Sequence, residues 1–228
     1  MQIILTEGQY KRLFEARMDG FRIDYLKSCD TFNKRVKYCK EMLGFPIGKG
    51  SSRVVFQMDD ETCLKLAIND KGIAQNLEEI KIANDGFISY IPKVYNGSDE
   101  ENGLWVITQY VLPAKKEDFK KVLGIDFGDI IDYVVNTDRR FDYKNPFHLK
   151  MADNMIYHLY TKYEANDEVI ELFNDIHEIK ANYDQMVGDL SRINNWGMVR
   201  ENGNTFMVML DSGLSEEVYN QFYKPRWR

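Results

Sequence analysis

Apolar and polar positions along the chain change their rhythm twice. Near the start, QIILT (2–6) reads as a short strand. Thr6 followed by Gln9 has the form of a capping box opening a helix through EGQYKRLFEAR. A second helix is predicted over TFNKRVKYCKEML, stopping at Gly44. The texture then shortens. SRVVFQM and TCLKLAI are compact runs of β-branched and apolar residues, with DDE (59–61) as the hairpin turn between them. KGIAQNLEEIKIAN returns to a helical period, with Ile73, Leu77, Ile80 and Ala83 on one face. YIPKVYNGS and GLWVITQYV read as two further strands joined by the turn-rich NGSDEENG. From Pro113 the chain turns helical, with segments predicted near 115–123, 126–135, 147–163 and 166–182. Strand character returns in WGMVR and TFMVMLD around the turn ENGN, and SEEVYNQFY closes the pattern as a short helix.

The order is a small sheet with one helix, then helices, then a hairpin. It lacks the regular strand–helix alternation of a doubly wound sheet, so the fold class predicted is α+β. We expect three regions: a helical extension over 1–45, a sheet-bearing lobe over 46–112, and a mostly helical lobe with a terminal hairpin over 113–228.

Composition narrows the functional classes. The chain has 228 residues, 44% hydrophobic and 29% charged, which reads as globular and soluble, with length for a sizeable core. A formal net charge of −6 argues against broad, sequence-independent nucleic-acid binding. The three cysteines, Cys29, Cys39 and Cys63, lack CxxC spacing, which argues against a disulfide framework or zinc site and suits a reducing cytoplasm. No run is apolar for long enough to span a bilayer, and the start is too soon charged for a signal peptide. His148, His158 and His177 are scattered and read as surface or packing residues.

Five features carry chemistry. In IGKGSSRVVF, Gly48 and Gly50 precede a strand, with Ser51 beside them. A loop crossing phosphates needs such small residues, although Arg53 stands where a third glycine would complete the pattern. Lys65 sits in the apolar strand TCLKLAI, where it must reach solvent or a partner. Glu78 and Glu79 in AQNLEEIKI are both available to it, and Glu79 is preferred. VGDLSRINNWGMV holds Asp189, with Asn194 five residues later and Asn195 as a competing oxygen donor. TFMVMLDSG ends an apolar strand in Asp211-Ser212-Gly213. Each has an ordinary alternative: a hairpin turn, a solvent-facing lysine, solvated charges, or a polar turn.

In this order the motifs make the chain resemble the protein-kinase-like fold over about 47–113 and 185–214. The form GDL, without His-Arg, is more similar to aminoglycoside-phosphotransferase-like and other atypical kinases, and the whole is similar to small kinase-like proteins of bacteria and their phages. The resemblance implies ATP and Mg²⁺ as cofactors. Gly48, Gly50, Ser51 and Lys65 would hold phosphates. Main chain near Gln109, Tyr110 and Val111 would meet adenine. Asn194 and Asp211 would hold metal, and Asp189 would act at the acceptor, with Lys65 and Glu79 as the catalytic ion pair.

The departures are specific. Val187-Gly188 replaces His-Arg, Ser212 replaces phenylalanine, and no Ala-Pro-Glu motif follows Gly213. An acceptor site would then come from the helices of 115–182, the N-terminal extension or a partner chain. The acceptor, protein or small molecule, is left open, as is nucleotide transfer in place of phosphate. Two readings follow: a phosphotransferase, or a pseudokinase serving as a nucleotide-binding or structural module in a larger assembly. The location expected is cytoplasmic, in the host or a virion if the chain is phage-encoded. Asp126-Phe127-Gly128 spells the kinase metal motif but precedes Asp189 in a helical stretch, so its apolar neighbours read as packing residues.

Overall fold

A computed structural model describes residues 20–140, 142, 144–163, 166–201 and 203–224. The predicted QIILT strand, the helix opened by Thr6 and Gln9, and the last four residues of the basic KPRWR end lie outside them. The described chain forms two compact units. One comprises residues up to Leu77 with Val94–Tyr110, the other Glu78–Lys93 with Val111 onward.

The first unit is built on a four-stranded antiparallel sheet, in the order β1 (Gly48–Lys49), β2 (Arg53–Gln57), β3 (Thr62–Ala67) and β4 (Trp105–Gln109). The β2–β3 turn forms because Asp59 Oδ1 accepts the N–H groups of Glu61 (2.8 Å) and Thr62 (2.6 Å). Helices α1 (Ile23–Ser28) and α2 (Phe32–Leu43) share one core with the sheet, where Leu26, Cys39, Phe56, Leu64 and Trp105 are all fully buried. Thr31 caps α2 by accepting Lys34 N–H, and Gly44 ends it at φ 90°, a conformation that favours glycine. α1 carries no strong periodicity and was not predicted.

YIPKVYNGS does not form a strand. Only Val94 bridges Thr108, and Tyr95 N–H donates to Ile107 O at 2.8 Å. Pro92 removes a ladder donor, and Gly97 at φ 94° turns the chain away, where its carbonyl accepts the Trp105 indole N–H.

Helix α3 (Asp70–Asp85) begins in the first unit and ends in the second. The second unit continues with α4 (Lys116–Val122), α5 (Phe127–Arg140), α6 (Pro146–Lys162), α7 (Asp167–Tyr183) and α8 (Glu216–Phe222). Its three-stranded antiparallel sheet runs β5 (Leu112–Pro113), β6 (Trp196–Glu201), β7 (Asn204–Met209). The apolar stripes of α4, α5 and α7 meet β6 and β7 in one core containing Phe119, Ile130, Val134, Phe173, Ile176, Trp196 and Met209. Asn166 caps α7 through Glu168 and Val169 N–H. Asp126 precedes α5, while Ile125, Phe127, Ile130 and Val134 are buried in that core, as packing residues should be. Among the described residues, no helix is long and apolar enough to cross a membrane.

Candidate functional site

In the first unit, Gly48 lies in β1, and Gly50 and Ser51 in the turn that leads to β2. That turn is moored to the first turns of α3: Asn69 Nδ2 donates to Ser51 O (2.9 Å), Ile68 N–H to Ser52 O (2.9 Å), and Ser52 Oγ to Gln75 Oε1. Arg53, in place of the third glycine, points a guanidinium N–H at Asn76 Oδ1 (3.3 Å). Gly72 is required here, because a β-carbon on it would collide with Ser52 O and stand 3.0 Å from Ala67. Gly48 and Gly50 are different. A β-carbon at either would find its nearest atoms at 3.6 and 3.8 Å, ordinary contacts, and neither has a positive φ. The fold itself does not demand glycine at these two positions. Sequence reasoning missed the mooring residues Asn69, Gly72, Gln75 and Asn76, whose only signal is their position at the start of α3.

Lys65 lies at the centre of the sheet, paired in register with Val55 and Val106, and is 7% exposed. The solvent-facing alternative is therefore overturned. Gln109 is also buried, its carbonyl accepting the Cys63 thiol at 3.7 Å, and Tyr110 N–H is committed to Glu61 O at 2.6 Å. Of the main-chain groups expected at adenine, the Tyr110 N–H and the Gln109 carbonyl both have partners within the fold.

In the second unit, Glu79 is 3% exposed, while the half-buried Glu78 receives the side-chain amide of Gln185 at 3.5 Å. Burial pushes the Glu78 carboxyl above its ordinary value. After α7, Asp184 adopts φ 50° and reverses the chain. Gln185 then bridges Ser215, and Met186 N–H donates to Leu214 O at 2.8 Å. Two 3-10 turns follow, Val187–Ser191 and Ile193–Asn195.

This double turn is sewn together from within. Asn195 Nδ2 donates to Asp189 O (2.9 Å), Ser191 Oγ to Gly188 O (2.7 Å) and the Trp196 indole to Leu190 O (2.7 Å). Leu210 N–H donates to Asn195 O at 2.8 Å, which ties the end of β7, and hence Asp211, to the turn. The structure thus brings Asp189, Asn194, Asn195 and Asp211 to one end of the β6–β7 hairpin. Asn195 is used as a brace, whereas Asn194 is exposed. Burial holds the Asp189 carboxyl above its ordinary value. Arg192, whose NH1 lies 3.7 Å from Oδ1, opposes this, and the charges of Asp211 and Asp138 add to it. A carboxylate that feels the charge of a neighbouring carboxylate is a natural seat for a cation. Ser212 is 5% exposed, so the residue replacing phenylalanine still packs inward.

The described residues run as a small antiparallel sheet with one helix before its last strand, then helices, turn and hairpin, which is the α+β order expected from the sequence. No family model matches the chain, and no curated protein does. Among solved structures it is similar to APH(2'')-IIa in a ternary complex with streptomycin and ATP, at 15% identity and a TM-score of 0.32, over 79% of this chain and 70% of that one. Likeness that remote carries no inference about activity.

Proposed function

We propose that the chain is an ATP- and Mg²⁺-dependent phosphotransferase. The observation that carries this is the grouping of Asp189, Asn194 and Asp211 at one end of the β6–β7 hairpin, with Asp189 and Asp211 close enough to act on one another's charge. Their oxygens fit Mg²⁺, which takes one or two protein oxygen ligands and completes its shell with phosphate and water; among the described residues no cluster of three or more His, Cys, Asp or Glu offers a closed cage for another metal. Asn194 and Asp211 would hold the ion, which when bound would neutralise charge on the phosphates. Asn195 is the alternative ligand: its amide N–H is engaged with Asp189 O, which fixes the side chain while leaving its oxygen as a donor atom.

Asp189 orients the acceptor hydroxyl and takes its proton as phosphate transfers. Lys65 supplies positive charge to the phosphates from a position where an unpaired ammonium would be costly. Of the two glutamates, the buried Glu79 is the one proposed for the catalytic role. The loop carrying Gly48, Gly50 and Ser51 presents backbone to the phosphates, and the fold itself does not demand glycine at positions 48 and 50. Val111, and Gln109 through a carbonyl already shared with Cys63, are the main-chain contacts proposed for adenine.

A second reading has one observation in its favour. Arg53 spends its side chain on Asn76 in place of the third glycine, as suits a pseudokinase that binds nucleotide without transfer. ATP labelled at its γ-phosphate separates the two. Mg²⁺-dependent release or transfer, lost by at least about a hundredfold in Asp189→Asn with binding retained, supports the enzyme. Binding without transfer supports the pseudokinase, and absence of binding overturns both.

A further inference from the structure

The Val187–Ser191 turn lacks the His-Arg pair, yet its second residue is pressed against a carboxylate from far away in sequence. A β-carbon on Gly188 would stand 2.5 Å from Asp138 Oδ2 and 3.1 Å from its Cγ; the three nearest atoms all belong to Asp138. Gly188 has no positive φ, so glycine is needed there for space alone. Asp138 comes from α5 and is held from its other side. Its Oδ1 lies 3.5 Å from Lys180 Nζ on α7, buried and without a hydrogen bond. Lys180 is itself 7% exposed on its side chain and reaches Glu216 Oε1 on α8 at 3.2 Å. One buried ammonium therefore links the helix before the turn, the helix beside it and the helix after the metal-motif strand. A cavity of about 240 Å³ opens at this place, lined by Asp138, Gly188, Asp189, Arg192 and Tyr219.

We propose that Asp138, held by Lys180, is a positioning residue: it fits against Gly188 and so fixes where Asp189 is presented. The role rests on the phosphotransferase reading for its purpose but not for its geometry. A buried ion pair such as Asp138–Lys180 is seldom a net source of stability, and selecting a single arrangement is its better-attested use. Burying the ion pair beside the turn does that here. Without it, Gly188, which has no side chain of its own, would leave the backbone before Asp189 free to move.

The test combines hydrogen exchange, a mutant cycle and turnover on the full chain. In Asp138→Ala and Lys180→Met, amide protection from Val187 to Leu190 should fall at least about tenfold more than protection along α6. Gly188→Ala should destabilise the native protein yet be nearly neutral in the Asp138→Ala background, because the atoms it meets are gone. Asp138→Asn should keep Mg²⁺-dependent ATP binding within about threefold while lowering kcat at least about tenfold, a split that a general loss of stability would not give. Unchanged protection over 187–190 in both variants, additive effects of Gly188→Ala and Asp138→Ala, or wild-type kcat in Asp138→Asn would each overturn the proposal. If the wild type turns over no ATP, the phosphotransferase reading falls, and exchange and the mutant cycle still decide the positioning role.

Discussion

Asp175 shows how much one buried carboxylate does for this fold. From α7 its Oδ2 accepts the N–H groups of Ser89 (2.7 Å) and Tyr90 (2.8 Å), and Tyr90 O in turn accepts Met209 N–H at the end of β7. Burial pushes its carboxyl up to about 6, against the pull of those two N–H groups and with Glu171 and Glu178 adding. The folded state therefore binds more protons than the unfolded chain between the ordinary value, 3.8, and about 6. Unfolding free energy should fall as pH rises through that window. Asp175→Asn keeps an oxygen for both N–H groups and removes the ionisation. Thermal melts should show it as stable as wild type or more so at pH 7, with a flatter profile between about pH 4 and 6. Asp175→Ala strands a buried N–H and should cost about 1–3 kcal/mol. Equal pH profiles for wild type and Asp175→Asn would contradict this. Gly50 offers a second test at the same scale. Because a β-carbon there meets nothing closer than 3.8 Å, Gly50→Ala should leave the melting temperature within about 1 °C while weakening nucleotide binding several-fold.

At the scale of elements, the mooring of the β1–β2 turn to α3 predicts a contrast with Gly50. Gly72→Ala forces a β-carbon into Ser52 O and Ala67, so it should cost about 1–3 kcal/mol, read by chemical denaturation, and should also disturb the loop. A neutral Gly72→Ala would mean that the loop and helix separate freely. The same scale shows what the sequence makes legible. α4 to α7 follow from apolar residues recurring every three to four positions, and caps such as Asn166 mark their starts. The turn around Asp59 and the β6–β7 hairpin follow from their turn residues. The segment at Val94 misleads because its apolar alternation is strand-like while Pro92 and Gly97 deny it a ladder. Asn194 and Asn195 are adjacent and chemically equal as letters. The structure tells them apart: Asn195 donates to Asp189 O and accepts Leu210 N–H, while Asn194 is exposed. Asp138 was invisible, since nothing local marks a helical aspartate that meets a glycine fifty residues on.

At the scale of the whole molecule, each of the two units carries part of the proposed machinery. The first holds Lys65 and the glycine loop, and the second holds Asp189, Asn194 and Asp211. Asp-Phe-Gly at 126–128 lies at the start of α5, with Phe127 buried in a helical core, and it contributes no metal ligand to the proposal. The proposed metal aspartate is Asp211, and the whole functional reading turns on it. Calorimetric titration of ATP into the full chain, with and without Mg²⁺, tests this most directly. Wild type should bind ATP with Mg²⁺ and lose at least about tenfold in affinity when the ion is chelated; Asp211→Ala should bind weakly and equally in both conditions. No ATP binding by the wild type, or binding indifferent to both Mg²⁺ and Asp211, would contradict the account.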